Sequence, residues 1–366
     1  RTFYLTRDSA TPGYIAGVLP AGTWSVILGL YEVPLPGVRW WLTIDTESSV
    51  DEPQPLPSRA VQTPLNSGGK APRWVRGDLH SHSEHSDGAN TIAEIATFAK
   101  ERKLDFLAIT DHNTITHQGV IDAGQWPVLL VPGEEVTTYQ GHANVWGLRE
   151  WVDFRVTNDA EMHRVLKWVE ARGRPFSMNH PKTLGPPWLL ADPGFAIREV
   201  WQAPWRWYNW ESVGAWDEQL AAGKRIIPVG GSDAHSVPPA APRHPHNIGD
   251  PTTWLQIEGD LTEKAVIDAI VTGRTSISDS PEGPFVTLEG PDAEGRITAH
   301  HRGGAGCDLV FITGGEVRHR APLKADGSYA LPEDVRFEHY LRAEVRSDAP
   351  KNREDTRALS APIYAE

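Results

Sequence analysis

An α/β barrel of alternating strands and helices, flanked at both ends by β-rich modules, is the fold class the sequence predicts. Three observations predict it. From Trp74 onward, short apolar runs of strand length alternate with segments of helical periodicity. Histidines and carboxylates fall at or just past the C-terminal ends of those runs, where such barrels carry their sites. Towards both termini the helical periodicity is absent, and apolar, aromatic and β-branched runs are broken by Pro and Gly instead.

The division that follows is residues 1–70 as an N-terminal β module with its linker, 71–280 as the barrel, and 281–366 as a C-terminal β module. Trp24 to Tyr31 and Val38 to Ile44 read as strands around Pro34, Pro36 and Gly37, and Asp51 to Pro72 as a linker. Thr91 and Glu94 form a capping box that opens a helix with Ile92, Ile95, Ala96 and Ala99 on one face. Leu104 to Ile109 is a continuous apolar strand ending at Asp111-His112, and Val128 to Val131 a second, ending at Gly133-Glu134-Glu135. Asn158 and Glu161 read as another capping box, opening a helix to Glu170 ahead of the strand that ends at Asn179-His180. Ile197 to Trp201 and Arg225 to Val229 are further strands, separated by a Trp-rich helical stretch. Thr252 to Ile257 and the helix Glu263 to Val271 add one more unit. Buried strands joined by helices predict parallel pairing. Phe285 to Leu288, Asp308 to Thr313 and Tyr340 to Val345 read as strands of the last module.

Composition narrows the function. The 366 residues include 35 Lys and Arg against 48 Asp and Glu, a net charge of −13, with no basic run to relieve it. That balance argues against a stable nucleic-acid partner. No uninterrupted apolar stretch is long enough to span a bilayer, so no membrane association is expected. A cytoplasmic placement is expected, although the chain starts at Arg1 rather than Met, which leaves room for a removed leader. The single cysteine, Cys307, forms no internal disulfide and builds no thiolate site, so any metal must be held by His and carboxylates.

The chemistry concentrates in Asp78-Leu79-His80-Ser81-His82 and, far downstream, Gly231-Ser232-Asp233-Ala234-His235. Two ligands separated by one residue on an extended loop can reach a single ion, and the second pair offers the same spacing from a distant strand. Asp87, His112, Glu135 or Glu134, His142 and His180 complete the candidates. Metal-assisted hydrolysis needs such a set, with a coordination position left for water or substrate. Neighbours on a strand point to opposite faces, so only one of Glu134 and Glu135 can face the site. His85 and Asp111 are candidates for moving or orienting a proton, and Lys182 for contacting a phosphate or leaving group. Trp205 and Trp207, with Arg206 between them, are placed for a pocket rim, and Trp210 and Trp216 for the core. Arg243, His244 and His246 occupy a Pro-rich loop that could cover the site, whereas His300 and His301 read as surface.

In this order, the Asp78–His82 segment, Ile109-Thr110-Asp111-His112-Asn113-Thr114, Gly133-Glu134-Glu135, Met178-Asn179-His180-Pro181 and the Gly231–His235 segment resemble the PHP superfamily of polymerase and histidinol phosphatase metallohydrolases. The resemblance covers Trp74 to Ser280. A looser one, through the flanking modules, Gly141-His142-Ala143-Asn144 and the final Ala358 to Tyr364, is to the carbaryl-hydrolase-like CehA/McbA branch. The superfamily resemblance implies a distorted (β/α)7 barrel holding two or three divalent ions, Zn, Mn or Fe. It places one ion on His80, His82, Glu135 and Asp233, a second on Glu135, His142 and His180, and a third on Asp87, His112 and His235. The family motif selects Glu135 over Glu134. Many trinuclear relatives carry a histidine where this chain has Asp87, and a carboxylate there favours harder ions and a weaker site. The implied activity is hydrolysis of a small-molecule ester by a metal-bridging water, with phosphate mono- or diesters first. A carboxylic or carbamate ester or amide is the second reading, and a non-catalytic binding module the third. Oligomerisation through the β modules stays open.

Overall fold

The computed structural model describes residues 2–28, 33–46, 69, 71–238, 247–349 and 353–365. Its core is built from β1 (Arg73–Asp78), α1 (Ile92–Glu101), β2 (Phe106–Ile109), α2 (His117–Ala123), β3 (Leu129–Thr138) and β4 (Gly141–Trp146). There follow α3 (Asp159–Glu170), β5 (Phe176–Met178), β6 (Ile197–Gln202), α4 (Asn209–Ala221), β7 (Ile227–Gly231), β8 (Thr252–Ile257), α5 (Glu263–Val271) and β9 (Thr275–Ser278). The C-terminal part is all β: β10 (Phe285–Glu289), β11 (Thr298–Arg302), β12 (Asp308–Thr313), β13 (Glu316–Pro322), β14 (Gly327–Ala330), β15 (Tyr340–Ala349), β16 (Arg353–Ser360) and β17 (Ile363–Tyr364).

The local signals act as expected at most of these elements. Thr91 caps α1 with both halves of its box formed. Asn158 caps α3 through the Glu161 amide, but the Glu161 carboxylate turns to the Thr157 amide and hydroxyl instead, so only half of that box exists. On β2, Phe106 and Ala108 pack into one hydrophobic cluster and Leu107 and Ile109 into another. Burial on both faces is why this strand reads as an unbroken apolar run.

Strand pairing is mixed rather than a regular parallel alternation. In the main sheet the order is β13-β12-β15-β16-β9-β8-β1-β2-β3-β4-β5-β6-β7. Within the core, β1–β2, β2–β3, β5–β6 and β6–β7 are parallel, whereas β3–β4, β4–β5, β1–β8 and β8–β9 are antiparallel. The expected end of the second apolar strand at Gly133 is corrected here, because β3 runs on through Glu134 and Glu135 to Thr138. It then turns back through Tyr139 and Gln140 into β4. Two successive glutamates look like a strand end; they are tolerated in a buried strand because each finds polar partners, described below.

The end strand β7 folds back onto the central strand β1. Gly230 donates to Thr253 Oγ1 at 2.9 Å, Asp233 donates its amide to the His80 carbonyl at 2.8 Å, and His82 to that of Ala234 at 2.9 Å. Ser81 and Ala234 form a parallel bridge. The approach is close enough that a Cβ on Gly231 would lie 2.3 Å from the His80 Cβ, so only glycine fits there. At the other edge, β16 pairs with β9, and the C-terminal strands continue the same sheet.

The predicted strands near the N-terminus are not formed. Trp24–Leu28 and Val38–Ile44 lie outside any sheet, with Trp24, Trp40 and Trp41 exposed, and Tyr31 is outside the described residues. An isolated hairpin is marginal in water without a partner sheet, and Pro34 and Pro36 remove two amide donors between the runs. The order in this region is instead a small hairpin: Leu5 bridges Ala10, and the Thr11 amide donates to the Tyr4 carbonyl at 3.1 Å. Most of the linker, Asp51 to Pro72, lies outside the described residues, as do Arg243, His244 and His246. No helix among the described residues is long and apolar enough to cross a membrane.

Candidate metal centre

Every candidate ligand but Asp87, which lies in the turn between β1 and α1, sits where a strand delivers it. His80 and His82 follow β1, Asp233 and His235 follow β7, and the bridge between Ser81 and Ala234 brings the two pairs together. His112 follows β2 and forms a parallel bridge with Glu135, which lies within β3 rather than past its end. His142 opens β4, and His180 follows β5. Two ligands occupy left-handed backbone, His180 with φ +28° and Asp233 with φ +55°. Non-glycine residues held there are characteristic of functional sites, where the surroundings over-determine the strain.

Three groups of donor atoms converge, and Glu135 belongs to two of them: His80, His82, Glu135 and Asp233; His112, Glu135 and His142; and His82, Asp87, His112 and His235. In the first, His80 Nε2 is 3.3 Å from both Glu135 Oε1 and Asp233 Oδ1, and His82 Nε2 is 2.9 Å from Asp233 Oδ1. In the second, His142 Nδ1 is 3.2 Å from Glu135 Oε1 and His112 Nδ1 is 2.8 Å from Glu135 Oε2. His180 Nε2 reaches Glu135 Oε1 at 3.3 Å. In the third, Asp87 Oδ1 is 3.3 Å from His235 Nε2 and 3.5 Å from His112 Nε2. Ligands ~2.1 Å from a tetrahedral ion are ~3.4 Å from one another, which is the spacing seen. All nine residues singled out in the sequence are therefore in one constellation, and His82 and His112 each adjoin two groups rather than one.

The donor set suits divalent cations electrostatically as well. His80 Nε2, Glu135 Oε2 and His180 Nδ1 are buried without a hydrogen-bond partner. Burial would raise the Glu135 and Asp233 carboxyls, yet the surrounding histidines hold both well below the ordinary carboxylate range. Burial would lower His80, but Glu135, Glu199 and Asp233 overcome it and raise that imidazole well above its usual value. His82 is pushed down to about 4 by burial and by His112 and His235, leaving a neutral ring with a lone pair to donate. Two buried carboxylates, Glu135 and Glu199, and the half-buried Asp233 around one imidazole form an anionic cluster that cations would balance.

A second layer of side chains aims these ligands. Glu199, on β6, accepts from His80 Nδ1 at 2.8 Å with one oxygen and from the His180 amide at 2.9 Å with the other. Asn179 donates to Glu135 Oε1 at 2.9 Å, and Gln202 to Asp233 Oδ2 at 2.9 Å. None of these three roles was expected from the sequence. The available signal for Glu199 was an acidic residue within a run of strand length, which must be paired if buried.

The three expected proton or leaving-group residues separate. Asp111 is buried and accepts from the Ser83 amide at 2.7 Å, Ser83 Oγ at 2.6 Å and Ser86 Oγ at 2.7 Å, with His117 Nδ1 at 3.1 Å. Those contacts tie down the loop that follows His82. Lys182 is buried rather than exposed, and its Nζ donates to the Gln202 carbonyl at 2.8 Å and to Asn209 Oδ1 at 3.0 Å. Burial lowers it to about 8, opposed by Glu199, Asp233 and Glu211. Only His85 lines the opening over the metal ligands, a cleft of about 530 Å³ floored by His112 and His142 and walled by Asp87, Tyr14 and Pro186. Glu134, on the opposite face of β3 from Glu135, accepts from the Val152 amide at 2.9 Å, as strand alternation requires.

The tryptophan-rich stretch does not border that cleft. Trp205 packs edge-on against Trp201 at 4.9 Å, and Trp216 is fully buried. Trp210 is more exposed than expected and leans on Tyr208 at 5.0 Å. His300 is exposed beside Glu289 at 2.8 Å, while His301 is buried, contrary to the surface reading.

No curated protein matches the chain. Among solved structures, a two-domain protein from Bacteroides vulgatus containing a predicted PHP-like metal-dependent phosphoesterase is similar at 16% identity and a TM-score of 0.45, over 82% of this chain and 100% of that one. An amidohydrolase from Chromobacterium violaceum is similar at 15% identity and a TM-score of 0.31, over 44% of this chain and 88% of that one. Residues 78–155, which carry His80, His82, Asp87, His112, Glu135 and His142, match the PHP domain family.

Proposed function

We propose that the chain is a metal-dependent hydrolase of the PHP superfamily, acting on a small-molecule ester at a centre of two or three divalent ions. The observation that carries this reading is the convergence of eight His, Asp and Glu side chains in three overlapping groups, two of them sharing Glu135, with His180 3.3 Å from Glu135 as a ninth. The fold-back of β7 onto β1 supports a distorted barrel as the scaffold.

His80, His82, Glu135 and Asp233 would hold one ion, Glu135 with His142 and His180 a second, and Asp87, His112 and His235 a third. When bound, the ions would activate a water for attack and neutralise charge developing on the substrate. The chain's own residues prepare the site. The Glu199 carboxylate accepts a hydrogen bond from His80 Nδ1–H and so leaves the Nε2 lone pair free to ligate. Gln202 and Asn179 each occupy one lone pair of a ligand carboxylate and fix its orientation. Asp111 fixes the loop between His82 and Asp87 from below. His85, on the cleft wall, is lowered by burial, the larger effect, and by His117, against Asp111. A neutral imidazole there can accept a proton at neutral pH.

Phosphate mono- or diesters are the favoured substrates, in keeping with the PHP match over residues 78–155. One observation favours the second reading, a carboxylic or carbamate ester or amide as in the CehA/McbA branch: no lysine or arginine lines the cleft among the described residues. Assays of the metal-loaded protein on p-nitrophenyl phosphate, bis-p-nitrophenyl phosphate and p-nitrophenyl acetate separate the two. Turnover of either phosphate ester is expected; turnover of the acetate alone would overturn the phosphoesterase reading, and turnover of none would overturn the hydrolase itself.

A further inference from the structure

The cleft over the metal ligands is not made by the core alone. Pro12, Gly13 and Tyr14, some 70 residues upstream of the first ligand, form part of its wall, facing His85, Ser86 and Asp87. Their segment is a small self-contained hairpin. The Tyr4 amide donates to Thr11 Oγ1 at 3.0 Å, the Thr6 amide to the Ser9 carbonyl at 2.8 Å, and the Gly17 amide to the Thr6 carbonyl at 3.0 Å. The hairpin docks on the ligand-bearing loop through Gly13, whose amide points at His85 Nδ1 at 3.4 Å. Its φ is +94°, and a Cβ there would lie 2.6 Å from the His85 carbonyl oxygen, so both the conformation and the contact require glycine. Tyr14 stacks face to face on Phe3, with ring centroids 4.3 Å apart and planes 10° from parallel, which holds its ring in place at the cleft.

We propose that this hairpin is the specificity wall of the metal-centre cleft, and that Tyr14 selects esters carrying a planar apolar group, which stacks beside it opposite Pro186. An aromatic ring held by a stacking partner offers a flat contact surface at little further entropic cost. The absence of lysine and arginine from the described lining makes this wall one that recognises shape and apolar surface rather than added negative charge. The inference rests on the proposed hydrolase reading for the word ester; the binding surface itself does not.

The test therefore measures binding as well as turnover. Calorimetry on the metal-loaded protein compares phenyl phosphate with methyl phosphate. Turnover compares phenyl p-nitrophenyl phosphate with methyl p-nitrophenyl phosphate, and p-nitrophenyl benzoate with p-nitrophenyl acetate, each pair sharing one leaving group. Wild type is expected to favour the aryl member of each pair. Tyr14→Ala should cut that preference about 3–10-fold through Kd and KM, and Tyr14→Phe should retain it. Gly13→Ala should loosen the hairpin, with faster hydrogen exchange at Tyr4 and Thr6, and lose the same preference. An unchanged aryl preference in Tyr14→Ala, or an equal loss for both members, would overturn the proposal. Absence of all turnover with the aryl binding preference intact would overturn the hydrolase reading and leave the wall standing.

Discussion

Glu199 holds His80 at 2.8 Å through the imidazole Nδ1, and its second oxygen takes the amide of His180, so one carboxylate sets two ligands that stand on different strands. Glu199→Gln keeps the shape but removes the charge that stabilises the Nδ1–H tautomer. Metal affinity should fall about 10–100-fold with the melting temperature of the metal-free protein little changed, read by competition with a chromophoric chelator. Unaltered affinity would show that His80 is aimed without Glu199.

Asp87 stands apart from the other carboxylates, its side chain 60% exposed while Glu135 is fully buried. An ion on Asp87, His112 and His235 is the one nearest solvent and should leave first. Graded chelator treatment followed by metal analysis is expected to remove one ion before the rest, and Asp87→Ala to lack that ion from the start. Simultaneous loss of all ions would contradict a separate outer site.

The C-terminal strands are anchored to the core by a buried charge network. Arg342 on β15 donates through Nε to Asp217 of α4 at 2.7 Å and also pairs with Glu344. Arg342→Met leaves Asp217 without its counter-ion and Glu344 with Arg346 alone, and should cost about 3–5 kcal/mol in denaturant unfolding. Burial would raise Glu344, but Arg342 and Arg346 hold it at about 2, against an ordinary value of 4.5. A depressed carboxyl contributes its stability above the unfolded value and loses it as the pH falls from 4.5 towards 2. The melting-temperature gap between wild type and Glu344→Gln should accordingly be wide at neutral pH and close in that window.

Glu134 has the opposite sign. Burial lifts it to about 8, with only the Val152 amide pulling it down. The unfolded chain releases this proton near 4.5 and the folded one near 8, so stability is lost as the pH rises through that interval. Glu134→Gln still accepts from Val152 and should stabilise the protein by about 2–4 kcal/mol at pH ~8, with no gain near pH ~4. A destabilised variant at the higher pH would mean that the charged carboxylate is accommodated after all.

The clustering of the candidate ligands was legible because such chemistry leaves a trace in spacing: His80 and His82, like Asp233 and His235, are separated by one residue beyond apolar runs. Helices α1 and α5 and strands β8 and β12 were legible from capping residues and apolar periodicity, which are local properties. What stayed hidden depends on partners distant in sequence. Strand β4 contains His142 and Asn144 on one face and pairs antiparallel with β3, and nothing in Gly141–Trp146 announces that direction. Glu199 and Gln202 reach His80 and Asp233, 119 and 31 residues away in sequence. The N-terminal runs looked like strands because they are apolar and β-branched, yet strand formation needs an edge to pair with.

The most direct test of the central claim, that Glu135 is the shared ligand of a multinuclear centre, is metal content per chain by mass spectrometry after saturation with Mn²⁺ or Zn²⁺ and desalting. Wild type should retain two or three ions per chain, and Glu135→Ala, folded by circular dichroism, at most one. Retention of the full complement by the variant, or of no ion by the wild type, would contradict the account.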